Sequence, residues 1–133
     1  MTKNLYQDTA SNTMTGANIE ANILDQAGMK MRIVQKNWKG AESFRDLNDA
    51  LQFNKKIWHL FQIDVSRNTN DLPKDIRQNI LSISIFIKKI SLKIIANSDV
   101  DKLTTLIQIN ESLACGLRSK PINSKLSEQV CTQ

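Results

Sequence analysis

The residue types that announce a catalytic or metal centre are scarce in this sequence. The single histidine, His59, stands beside Trp58 with no Cys, Asp or Glu at ligand spacing, so a zinc site fails on ligand count. The four glycines are scattered at positions 16, 28, 40 and 116, which excludes a phosphate-binding loop and a dinucleotide fingerprint. Two cysteines, Cys115 and Cys131, are too few for a disulfide scaffold, and in a reducing compartment both are expected as free thiols. Cys115 follows Ala114 on an apolar turn with no histidine constellation to activate it, so no nucleophile is expected there. Acidic pairs such as Asp46 and Asp49 read as a solvated helical face and need no acid–base chemistry. No enzyme, cofactor or metal site is expected.

Long apolar runs are missing as well. The most apolar stretch, Ile80 to Ile95, is broken by Lys88, Lys89 and Lys93 and is too short to span a bilayer, so it is assigned to the core and no membrane partner is expected. The N-terminus, MTKNLYQDTASNTMTG, has no apolar segment of signal-peptide length, which makes the cytoplasm the expected compartment. Aromatic residues make up only 5% of the chain.

What is present is a helical pattern on a mildly basic background. With 133 residues, 41% of them hydrophobic, the chain can bury one core and is read as one domain. Its net charge of +5 permits attraction to RNA, anionic lipid or an acidic protein without choosing among them. The cations are dispersed as pairs such as Lys55-Lys56 and Lys88-Lys89, with no run long enough for a nucleic-acid arm, and solvated faces explain them.

Residues 1–14 are polar and aperiodic and read as a flexible arm. From Gly16 to Trp38 the apolar residues Ile19, Ile23, Leu24, Ala27, Met31, Val34 and Trp38 form one helical stripe, with Thr15 or Asn18 as candidate cap. Ser43 then stands as N-cap for a second helix carrying Phe44, Leu47, Leu51, Asn54, Trp58, Phe61 and Val65. Pro73 fits the first position of a third helix. Ile76, Ile80, Ile83, Ile87, Ile90 and Ile94 recur along it, with Leu81, Phe86 and Ile95 widening the stripe until a central place in a bundle is expected. The stretch ILSISIFI also alternates at period two, but the helical pattern persists far beyond ordinary strand length. Ser98 to Asp101, S-D-V-D, reads as a capping box for a fourth helix with Val100, Leu103, Leu106, Ile107, Leu113 and Leu117, ended by Gly116 and Pro121. The expected fold is all-α: a compact bundle of about four helices over residues 15–118, with the flexible arm before it and a mobile tail over 119–133.

Asparagines on apolar stripes are the unusual feature, because a buried amide must find partners. Asn54 lies between Leu51 and Trp58, Asn110 between Leu106 and Leu113, and Asn79 borders the third stripe near Arg77. They can form a buried network that fixes helix register, or line a groove that meets a partner.

The segments carrying these residues resemble a known family. ALQFNKKIW (Ala50 to Trp58), LPKDIRQNI (Leu72 to Ile80) and INESLACGL (Ile109 to Leu117) are similar, in order and in spacing, to the FlaF family of flagellar biosynthesis regulators, as is the opening Tyr6 with Glu20 and Leu24. The likeness runs from about Tyr6 to Leu117. Ser82 and Ser84 depart from it, standing where small or apolar residues are expected, and the tail extends past the usual end. The matching residues are Asn54, Lys55, Lys56, Trp58, Pro73, Ile76, Arg77, Asn79, Asn110, Gly116 and Leu117.

The resemblance implies a small cytoplasmic helical protein needed for flagellin synthesis and secretion. Such a protein binds flagellin as a chaperone-like adaptor and works against FlbT, a regulator that restrains translation of the flagellin message. FlbT is thus a second candidate partner. Asn54, Lys55, Lys56, Trp58, Arg77, Asn79 and Asn110 are the expected partner-binding residues, with Trp58 as aromatic anchor. The alternative is an RNA-binding post-transcriptional regulator that neutralises phosphates with Lys55, Lys56, Lys88, Lys89 and Lys93. Direct nucleic-acid binding is disfavoured because few aromatic residues are available to stack on bases.

Overall fold

A computed structural model of the chain describes residues 16–67 and 72–119. The fold is all-α. Four helices, α1 (Gly16–Lys36), α2 (Phe44–Val65), α3 (Lys74–Asn97) and α4 (Leu103–Ser119), are separated by short 3-10 turns at Gly40–Ser43 and Val100–Lys102, and the described residues contain no strand. The expected arm over 1–14 lies outside the described residues. So does the expected tail over 119–133, apart from Ser119, which still belongs to α4.

The central layer is built by α1 and α4. Ala21, Leu24, Ala27, Met31 and Val34 keep the three-to-four spacing of one helical stripe and are buried along α1. Against them α4 places Leu103, Leu106, Ile107 and Ala114, also buried. The two helices run antiparallel, because residues early in one meet residues late in the other. Arg118 pairs with Asp25 at 2.5 Å, Arg32 with Glu111 at 2.7 Å, and the Gln35 amide donates to Thr104 Oγ1 at 2.8 Å. These exposed ion pairs contribute little individually; their use here is to mark register. α2 covers α1 with Leu47, Ala50, Leu51, Ile57 and Trp58, and α3 packs on α2.

The third helix does not sit at the centre, contrary to the expectation from its broad apolar stripe. It buries Ile80, Ser84, Ile87, Ser91 and Ile94 against its neighbours while Ile85, Phe86 and Leu92 stay exposed. The two small buried side chains explain its close seat: Ser84 Oγ donates back to the Ile80 carbonyl at 3.0 Å and needs no room for a partner. Ser84 is therefore a packing residue, and Ser82, the other departure from the family pattern, is exposed.

Helix ends also differ from the sequence reading. Ser43 makes no side-chain cap on α2; its hydroxyl accepts from the Lys39 N–H at 2.9 Å and closes the preceding 3-10 turn. Ser98 has φ +50 and ends α3 in the left-handed region, so it terminates the third helix and does not open the fourth. Gly40, at φ +72, supplies the turn between α1 and α2 at a conformation that side chains rarely tolerate. Gly116 and Asn18 lie within helices, and Thr15 lies outside the described residues. Cys115, half-buried on α4, is disulfide-bonded, which corrects the expectation of a free thiol there; Cys131 lies outside the described residues.

Candidate functional site

The residues singled out in the sequence separate into a core cluster and a scattered surface set. Asn54, Trp58 and Asn110 come together. Trp58 Nε1 donates to Asn110 Oδ1 at 2.9 Å, and Asn110 Nδ2 donates to Asn54 Oδ1 at 2.7 Å and to the Leu24 carbonyl at 3.3 Å. One amide thus ties α4 to both α2 and α1. Both asparagines are 0% exposed and Trp58 is 2% exposed, and Phe61 adds an edge-on ring contact to Trp58 at 5.6 Å. Such a network specifies how three helices meet, because sliding any one by a turn orphans buried donors and acceptors. The Nδ2 of Asn54 has no partner, so the cluster is nearly but not fully satisfied.

The remaining candidates do not join it. Arg77 is half-buried with its Nε unpartnered, Asn79 is exposed, and neither hydrogen-bonds to the cluster among the described residues. Lys56 is exposed on α2, with Lys55 half-buried beside it, and His59 is exposed. No three of His, Cys, Asp and Glu gather among the described residues as a metal cage requires. Trp58 is wrapped by its own fold, so it cannot act as an exposed anchor without rearrangement.

What lies over the cluster was not evident from the sequence. α3 and α4 stand apart, and a groove of about 440 Å³ opens between them. Ile80 and Ile83 line one wall; Thr105, Gln108, Ile109, Ser112 and Leu113 line the other; Trp58 closes the floor from α2. Its lining is predominantly apolar and carries no charged side chain, with neutral hydroxyls and one amide on the α4 side. Among the described residues the seam between α3 and α4 that would complete a fourfold bundle is open. The signal that could have located it is the row Thr105, Gln108, Ile109 and Ser112 at helical spacing: it has no charge for water and is too polar for the core.

One carboxyl is electrostatically unusual. Glu20, half-buried on α1, has its pKa raised by loss of hydration and, secondarily, by the negative charge of Asp64 at the end of α2. It lies outside the groove lining.

Comparisons with known proteins bear on the whole chain. No curated protein and no solved structure matches it. No helix among the described residues is long and apolar enough to cross a membrane. The family model described as flagellar protein FlaF matches residues 2–117, which takes in every helix described except the last two residues of α4. The chain therefore belongs to the FlaF family of flagellar proteins.

Proposed function

We propose that the protein binds flagellin as a chaperone-like adaptor and promotes its synthesis and secretion in opposition to FlbT. The observation that carries this reading is the open groove between α3 and α4, joined to family membership. An amphipathic helix of a partner, laying its apolar side along Ile80, Ile83, Ile109 and Leu113, would complete the missing seam of the bundle. Thr105, Gln108 and Ser112 would offer uncharged hydrogen bonds at the rim. In this reading Asn54 and Asn110 hold the walls at their spacing and do not touch the partner, Trp58 meets it only as the apolar floor with its indole N–H kept on Asn110, and Lys55, Lys56, Arg77 and Asn79 lie outside the groove lining. Recognition alone is involved, with no catalytic step, and the setting is the cytoplasm, where flagellin is made.

Support for protein over RNA comes from the same geometry. The Trp58 ring that would best stack a base is buried, and the groove carries no cation to meet phosphate. The test places arginine at two exposed groove positions, Thr105→Arg and Ser112→Arg together. Light scattering on a sizing column with flagellin should show a complex with the parent chain that survives high salt. The variant should keep its helical content and bind at least about tenfold more weakly, as expected when a charge is forced into an apolar contact. Unchanged flagellin binding by the variant would remove the groove from the account.

A further inference from the structure

The outward side of α3 carries a surface that neither the core nor the groove uses. Ile85, Leu92 and Ala96, at intervals of seven and four residues, fall on one exposed stripe of the helix, with Leu81, half-buried against the core, at its inner edge. Leu92 is 63% exposed and Ile85 52%. By the same helical geometry Lys88 borders the stripe on one side, and Lys89 and Lys93 border it on the other; all three are exposed. The one carboxylate on α3, Asp75, is confined to the first turn, where its Oδ1 accepts from the Ile76 N–H at 3.0 Å. The exposed middle of the helix therefore carries positive and no negative charge, with Gln78 and Ser82 as neutral polar groups beside the apolar residues.

An apolar stripe between two rows of lysine is the arrangement of a helix lying in a lipid–water interface. The aliphatic side chains enter the acyl boundary, and the flexible lysine stems run beside them with their ammonium groups at the phosphate level. A lipid layer fits this ridge better than an apolar partner helix does, because it offers phosphates to the lysines on both sides as well as an apolar interior to Ile85 and Leu92. Ile83, which lines the groove, projects from the opposite flank of α3, so docking leaves the groove open.

We propose that this stripe docks the protein peripherally on an anionic lipid surface, Ile85 and Leu92 entering the interface and Lys88, Lys89 and Lys93 meeting lipid phosphates. The proposal does not depend on what fills the groove.

Co-sedimentation of the full chain with vesicles tests it. Vesicles of phosphatidylcholine mixed with phosphatidylglycerol are expected to pellet the protein, and vesicles of phosphatidylcholine alone to leave it in solution. Added salt should release it, since exposed charges are screened beyond about 10 Å. The variants K88E/K89E/K93E and I85D/L92D should each lower the bound fraction by about tenfold while circular dichroism stays helical. The same change of charge at exposed Lys36, Lys39 and Arg45 should lower it far less. Failure of anionic vesicles to pellet the chain, equal pelleting by neutral vesicles, or full binding by the stripe variants would each overturn the proposal. So would a chain that ignores vesicles but binds an acidic protein or an RNA through these lysines, which would assign the stripe to that partner.

Discussion

Asn110 is the side chain through which three helices are registered. Replacing it with leucine keeps its approximate bulk but leaves Trp58 Nε1 and Asn54 Oδ1 without partners in a dry interior. Each orphaned group costs roughly 1–3 kcal/mol, so Asn110→Leu should lose several kcal/mol in urea unfolding. Asn79→Ala, at an exposed position, should change stability by less than about 0.5 kcal/mol. Similar losses for the two would contradict the buried network. Trp58→Ala is a poor probe of partner contact, because emptying so buried a site costs about 3–5 kcal/mol before any partner is considered. The amide pair was half legible in the sequence: asparagine on an apolar stripe is conspicuous, and the register-fixing network was one of the two readings it allowed. That Asn110 pairs with residues 52 and 56 positions away is a fact of packing that helical spacing does not contain.

Glu20 gives the residue scale a pH dependence with a definite sign. Burial first and Asp64 second raise its folded pKa, so the ionised form opposes folding. The contribution of this group is most favourable below the ordinary carboxylate range and is lost as pH rises through the raised folded value. Glu20→Gln should therefore be more stable than the parent at neutral pH, with the difference shrinking as the solution is acidified. Denaturation midpoints of both proteins across that range check it, and a difference that grows on acidification would contradict it.

At the scale of elements, helix α1 holds a glycine it does not need. A Cβ at Gly28 would meet only Ile107 Cγ2 at 3.9 Å, an ordinary contact, and Gly28 lies inside α1. Gly28→Ala should stabilise the protein by about 0.5–1 kcal/mol through reduced chain entropy and better helix propensity, read as a higher unfolding midpoint. A lower midpoint would mean that α1 and α4 approach more closely than these distances state. The existence and extent of all four helices were readable, because amphipathic stripes of this length have few other solutions. The position of α3 was not. Width of an apolar stripe says how much surface resists water, and α3 meets that demand partly by burial and partly with surfaces left open on either flank. Ser43 holds the N-cap position of α2 as read but turns its hydroxyl to the turn before it, and Ser98 ends α3 where it was read as opening α4: a short polar side chain beside a break can serve the element before it as readily as the one after.

At the scale of the whole molecule, the described helices form a bundle whose last seam is open among the described residues. α1 is sheathed by α2 and α4, while the space between α3 and α4 is left to a groove above the Trp58–Asn110 cluster. The sequence left the cluster open between a network that fixes register and a surface that meets a partner. In our proposal the cluster supports the neighbouring groove, whose residues are too ordinary to stand out singly.

Backbone amide spectra of the labelled chain, titrated with flagellin, test this most directly. The account predicts that signals from Ile80, Ile83 and the Thr105 to Leu113 segment shift together, while the side-chain amides of Asn54 and Asn110 and the indole N–H of Trp58 keep their protection from solvent exchange. Shifts centred on Lys55, Lys56 and Asn79 with the groove unmoved, or loss of protection at Trp58 on binding, would contradict it.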